Sequence, residues 1–188
     1  MTVEVRALRP IKKNQEVTFS YIDDLLRPTA ERQANLREGY NFTCQCDACT
    51  DSSSDERRAQ IARLEPTSLQ EYATWLTSAD KASTNPKFAD DYLIDRAKQA
   101  IALYMREQLS EPDVPHNALT HAETVLACHL ARCMKREAVF WAGKVRTREV
   151  AMSRPLTRYT TRALNEPEQH ELWNGRVTYV GKESPQKL

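Results

Sequence analysis

Three of the chain's five cysteines stand within six residues, Cys44-Gln45-Cys46-Asp47-Ala48-Cys49, a CxCxxC spacing. Thiolates are soft donors, and a structural zinc ion takes four nitrogen or sulfur ligands in a tetrahedron. Three sulfurs so close in sequence can converge on one ion. The cysteine count is odd, and no apolar run of signal-peptide length opens the chain. A reducing, intracellular compartment (cytoplasm, nucleus or both) is therefore expected, where such a cluster reads as a metal site rather than a disulfide framework. A fourth ligand is not evident. Cys128 and Cys133 are five residues apart on a predicted helix, about 140° around its axis, and cannot both face one ion. Each reads as a core or surface residue of that helix. His116, His121, His129 and His170 show no ligand spacing and read as satisfied or solvated side chains.

Other chemistries fail on composition. The four glycines, Gly39, Gly143, Gly175 and Gly181, match none of the GxGxxG, GxxxxGK or GxSxG spacings. Dinucleotide-binding, P-loop and nucleophile-elbow sites are excluded on that ground. The apolar runs are too short for a transmembrane helix, so no membrane partner is expected. A net charge of +1 gives no overall attraction to nucleic acid. The stretch 135–162 carries eight basic residues against Glu137 and Glu149. It reads first as a solvated helix face and second as a surface for an acidic partner. Trp75, Trp141 and Trp173 read as helix packing rather than a base-stacking platform.

The elements that must position the cysteines change character near residue 50. Residues 2–8 and 17–22 alternate apolar and polar side chains, as strands do. Between them, Pro10 breaks the first strand and Asn14 suits a tight turn. Pro28 opens a short helix over residues 30–38, with Gly39 placed for its C-terminal cap. Residues 51–55 form a Ser/Asp run and read as a linker. Helices are then predicted over 57–64, 67–79 and 89–109, the last being the longest. A helical hairpin follows over 120–153. Thr120 and Glu123 match a capping box at its start, and Ala122, Leu126, Leu130 and Cys133 or Met134 form one face. Ala138, Trp141, Ala142, Val145 and Met152 face inward from its second helix. The hairpin is about one tetratricopeptide-type unit in length. After Pro155 the periodicity decays, and residues 156–188 read as a loose tail.

One stretch is far more specific. Glu16-Val17-Thr18-Phe19-Ser20-Tyr21-Ile22-Asp23 is followed by the short helix and then by Tyr40-Asn41-Phe42-Thr43-Cys44-Gln45-Cys46-Asp47-Ala48-Cys49. This resembles the end of a SET domain running into its cysteine-rich post-SET segment. The closest style is that of the SET-and-MYND (SMYD-type) protein-lysine methyltransferases. Their R-x-x-x-L-x-x-x-Y-x-F-x-C-x-C-x-x-C pattern is matched at Arg32, Leu36, Tyr40, Phe42, Cys44, Cys46 and Cys49. The resemblance covers residues 3–50 by motif and the helical remainder by architecture only.

The resemblance implies roles. Tyr21 falls on the family's active-site tyrosine and Tyr40 on the second tyrosine of the lysine channel, so both are catalytic candidates. Phe42 falls on the aromatic beside the S-adenosylmethionine site. Cys44, Cys46 and Cys49 fall on three zinc ligands. A neutral lysine amine attacks a sulfonium methyl in line, so catalysis is mostly positioning and electrostatics. The family's Asn-His-Ser-Cys segment supplies a cofactor contact and the fourth zinc ligand, and no Asn-His dipeptide occurs in the 188 residues.

The expected fold is mostly α. A small β remnant of a SET domain with a post-SET segment (1–50) is followed by a linker (51–56), a tetratricopeptide-like helical domain (57–155) and a tail (156–188). The expected function is that of a C-terminal piece of a lysine methyltransferase, acting on protein lysines such as those of histones and inactive alone. The alternative is a non-catalytic helical module that binds a protein or peptide.

Overall fold

The computed structural model describes residues 11–14, 20–22, 24–64, 91–109, 117–151 and 156–175. Among them the chain is helical, with seven α-helices and one 3-10 turn. They are α1 (Thr29–Tyr40), α2 (Asp47–Thr50), α3 (Ser54–Leu64), α4 (Tyr92–Arg106), α5 (Asn117–Ala131), α6 (Lys135–Ala151) and α7 (Arg158–Asn165), then the 3-10 turn Pro167–Gln169. The mostly-α expectation holds. The two expected strands and the helix over 67–79 lie largely or wholly outside the described residues.

α5 is the central helix. Leu119, Ala122, Leu126 and Leu130 join Ile101 of α4, Ala138, Ala142 and Val145 of α6 and Ala163 of α7 in the main core cluster. Val125, Cys128 and Ala131, on another side of α5, pack with Leu93, Ile94 and Ala97 of α4. A helix apolar on nearly all sides is one with neighbours on nearly all sides. The expected core faces of the hairpin are thus present at Ala122, Leu126, Leu130, Ala138, Ala142 and Val145, with Trp141 packed against both clusters.

The boundaries differ from the expectation where backbone chemistry overrides pattern. α1 runs to Tyr40, and the left-handed residue that ends it is Asn41 (φ 57°), not Gly39. Asn is the non-glycine residue that most readily takes this conformation. Thr120 and Glu123 form no cap, because α5 already begins at Asn117. Thr120 sits inside the helix, where its carbonyl accepts from Thr124 Oγ1 at 2.9 Å.

Two helix ends share one device. After α4 the Leu109 amide donates to the Tyr104 carbonyl (2.8 Å) and the Gln108 amide to Met105 (3.1 Å). After α5 the Met134 amide donates to His129 (2.9 Å) and the Cys133 amide to Leu130 (3.1 Å). Both are Schellman caps, with Gln108 (φ 57°) and Cys133 (φ 58°) left-handed. Cys133 is therefore a turn residue, half-buried, with its sulfur 3.5 Å from Asn174 Oδ1.

The residues after 155 are not loose through Gly175. Thr157 caps α7, its hydroxyl accepting from the Thr160 amide at 3.1 Å. Tyr159, Leu164, Leu172 and Trp173 pack on the main core, and the Asn174 amide donates to the Leu130 carbonyl at 3.3 Å. The sequence hid this segment because its fully buried positions include Thr160, Ala163 and Pro167, which form no apolar stripe.

Candidate metal centre

α1, the short α2 and the turn between them build the cysteine site. Gln33 on α1 grips the backbone of Cys44 from both sides. Its Nε2 donates to the Cys44 carbonyl (2.8 Å), and its Oε1 accepts from the Cys44 amide (2.9 Å). Cys46 precedes α2, and its carbonyl accepts from the amides of Cys49 (2.8 Å) and Thr50 (3.1 Å). The turn brings Cys49 back toward Cys44 and Cys46. The three sulfurs lie within 4.8 Å of one another.

That geometry fits a soft metal ion. With Zn–S near 2.3 Å, sulfurs of a tetrahedral site stand about 3.8 Å apart, so a small closure would seat the ion. Among the described residues no fourth ligand joins the group. Cys128 is buried in the core between α4 and α5, and Cys133 lies in the turn before α6. Neither sulfur joins the group.

The thiols influence one another. Burial pushes the Cys44 thiol up, but hydrogen bonds from the Cys46 amide and from the Cys46 and Cys49 thiols, with the charge of Arg32, outweigh it. The net is a thiol below its ordinary value. Cys46 is pushed up to about 11, by burial first and then by donating to its two neighbours. Closely packed thiols share protons unequally, which is the situation a divalent cation resolves by displacing them.

Tyr21, Tyr40 and Phe42 come together beside this segment. The Tyr21 and Tyr40 rings meet edge to face with centroids 5.0 Å apart, and Tyr21 and Phe42 do so at 5.5 Å. Tyr40 ends α1, and the left-handed Asn41 turns the chain so that Phe42 returns to Tyr21. All three stay open to solvent, at 44%, 52% and 36% exposure. Tyr21, Ile22, Asp24, Arg27, Asn35 and Tyr40 line a shallow cleft there, in which Arg27 Nε pairs with Asp24 Oδ2 at 3.0 Å.

Beneath the cysteines lies a buried ionic network that the sequence reading missed. Glu107, at the end of α4, accepts from Ser54 Oγ (2.6 Å), Arg58 Nε (2.9 Å) and Arg57 Nε. Arg57 also pairs with Asp51 at 2.5 Å. Asp55 accepts from the Thr29 amide (2.8 Å) and hydroxyl (2.7 Å), fixing the start of α1. The expected linker is thus partly structured, with Ser54 fully buried. Leu25 and Leu26 add apolar contact with Ile61, Tyr104, Leu109 and Ala118. The cysteine segment is tied to the helical lobe by this network. Its signal in the sequence was faint, because Ser54, Arg58 and Ile61 share a helical face but only one is apolar.

A mostly helical chain with a three-cysteine cluster fits a C-terminal segment of a SMYD-type lysine methyltransferase. The comparisons give particular relatives. The chain is 48% identical over 61 residues to N-lysine methyltransferase SMYD2 of Homo sapiens, and 46% identical over 61 residues to that of Gallus gallus. It is 43% identical over 63 residues to SMYD2-B of Danio rerio. The matched stretch is 32% of this chain and 14% of the human and chicken proteins, and 34% and 14% for the fish protein. The chain thus spans a small part of the length of the relatives it matches. No protein-family profile matches it, and no solved structure does.

Proposed function

We propose that this chain carries the lysine-facing aromatic wall and the zinc-pinned segment of a SET-domain protein-lysine N-methyltransferase, whose methyl donor is S-adenosylmethionine. The observation that carries the reading is the convergence of Tyr21, Tyr40 and Phe42 in one exposed cluster, two residues in sequence from the first of three clustered thiols. The tyrosine hydroxyls orient a lysine amine, and the aromatic faces strip water from it before methyl transfer. Bound S-adenosylmethionine would supply the electrophilic methyl. Of the groups that hold it in the family, these residues offer Phe42 as an aromatic wall, and no Asn-His pair occurs in the 188 residues.

The isolated chain is therefore inactive in this reading. Its zinc is held by Cys44, Cys46 and Cys49 with the fourth position open, and hence weakly. Its partner is a protein lysine, histone lysines included, in the cytoplasm or nucleus. The basic stretch 135–162 is a secondary surface for an acidic partner. The division into a post-SET part to residue 50 and a tetratricopeptide-like lobe belongs to the same proposal, with the lobe continued past residue 155 by α7 and the residues after it that pack on its core. Among the described residues no helix is long and apolar enough to cross a membrane.

Incubation of the purified chain with labelled S-adenosylmethionine and histones or cell extract tests the catalytic part. No label transfer above a Tyr21→Phe control is expected, and clear transfer would show that the cofactor is held without the Asn-His pair. Elemental analysis after mild chelation tests the metal. One zinc tightly retained per chain would reveal a fourth protein ligand. The absent Asn-His pair also favours a second reading, a binding module built on the helical lobe. Capture of a specific peptide by a chain that binds no S-adenosylmethionine would favour that module.

A further inference from the structure

Arg32 is 2% exposed, although it sits on a helix whose mean character is polar. Its Nη2 donates to Thr29 Oγ1 and to the Ala48 carbonyl, each at 2.9 Å, and faces Cys49 Sγ at 3.9 Å. Its Nη1 donates to the Arg27 carbonyl and stands 3.7 Å from Asp55 Oδ1. One guanidinium nitrogen thus touches both the carbonyl preceding Cys49 and the sulfur of Cys49. Arg58 is 3% exposed nearby. Among the described residues its Nη1 has no hydrogen-bond partner, while its Nε donates to Glu107 Oε2 at 2.9 Å. Glu107 thus offsets the charge of Arg58 closely, whereas Arg32 has Asp55 only at 3.7 Å, and a buried guanidinium is costly unless negative charge lies beside it.

Three thiolates around one divalent cation leave a net negative charge on the sulfurs. A metal-bound sulfur is also a better acceptor for a guanidinium N–H than a protonated thiol, since bonds to charged groups are the stronger ones. Groups that bond to a ligand's outer side orient it and tune its affinity. Resting on the zinc reading above, we infer that Arg32 is a positioning residue for the metal. It holds the Ala48–Cys49 backbone in the ligating arrangement and offsets the negative charge of a three-thiolate centre.

The full-length chain, stripped of metal, is titrated with Zn2+ against a chromophoric chelator. It is also titrated with Co2+, whose sulfur-to-metal absorption reports the thiolates directly. Removing an outer partner weakens metal affinity by about 10–100-fold, and R32Q is expected to show that loss with a weakened Co2+ band. R32K keeps the charge but cannot bridge carbonyl and sulfur, so it is expected to fall between R32Q and the parent. A merely structural role would lower the thermal midpoint of the metal-free chain and leave the affinity unchanged. Parent-like affinity in a folded R32Q, or in R32K should R32Q lose its helical circular dichroism, overturns the inference. If C46S binds zinc as the parent does, the zinc reading itself fails and takes the inference with it.

Discussion

Glu107 accepts from Ser54, Arg57 and Arg58, and its side chain is only 1% exposed. Burial raises its carboxyl, but the bonds from Ser54 and the two arginines more than offset this and hold it below the usual range. Deleting one member of a buried ion pair leaves its partner's charge uncompensated. Glu107→Gln is expected to cost about 3–5 kcal/mol on that ground, read as a lowered urea midpoint. The Lys135–Glu168 pair is the control: both side chains are largely exposed, and Glu168→Gln should not move the midpoint measurably. Equal effects from the two substitutions would show that the network contributes no more than surface pairs do. The same contrast separates what was legible from what was not. Cys44, Cys46 and Cys49 announce themselves by residue type and spacing. Arg32, Arg58 and Glu107 do not, because charged residues read as solvated, and Glu107 meets Arg58 across 49 residues of sequence. Arg32 lay inside the SMYD-type pattern, which marked its position without giving its contacts.

At the scale of elements, apolar periodicity placed the helices and backbone chemistry set their ends. α4 and the α5–α6 hairpin were legible from their stripes of Leu, Ile, Val and Ala. α7 was not, since it buries a threonine and an alanine. Helix ends depend on which residue accepts a positive φ, and a sequence marks that poorly when the residue is not glycine. Gln108 is such a case. It is exposed, left-handed at φ 57°, and closes the cap after α4. Glycine takes this conformation freely, whereas a side chain there is strained. Gln108→Gly relieves the strain and gives back part of the gain as added freedom of the unfolded chain. The net is an expected stabilisation of about 0.5–1 kcal/mol, checked by a raised urea midpoint at unchanged slope. A loss of stability would mean that the Gln108 side chain makes a contact worth more than the strain.

At the scale of the whole molecule, the described histidines fit neither half of the expectation that they are satisfied or solvated: each of the three has a ring nitrogen with no hydrogen-bond partner among the described residues, and His116 lies outside them. His121, His129 and His170 are 2%, 3% and 4% exposed, rather than solvated. Burial, then the charge of Arg96, pushes His121 down to about 4; burial, then Lys98, does the same to His129. Burial also lowers His170. The three rings lie on α5 and in the segment after α7, so they report on the helical lobe. The folded form keeps them neutral, while the unfolded chain protonates them near pH 6.5. The unfolded state therefore binds more protons below that pH, and stability falls as pH falls. The full contribution is present above about pH 6.5 and is lost progressively down to about pH 4, below which His121 and His129 add no further slope. Each of those two is expected to cost about 2 kcal/mol by pH 5, from a gap of roughly 1.5 pH units below the unfolded value. Glu107, held below its usual range, adds loss in the same direction only at lower pH. Urea midpoints measured between pH 7.5 and 4.5 should fall steeply from pH 6.5 downward, with the fall between about pH 6.5 and 5 lying above the ordinary carboxylate range. His129→Leu removes one titrating ring and should flatten that fall by about a third to a half, if the three rings dominate it. A profile flat from pH 7.5 to 5 in the parent chain would mean that the rings are protonated in the folded lobe and paired there, which the packing around α5 argues against.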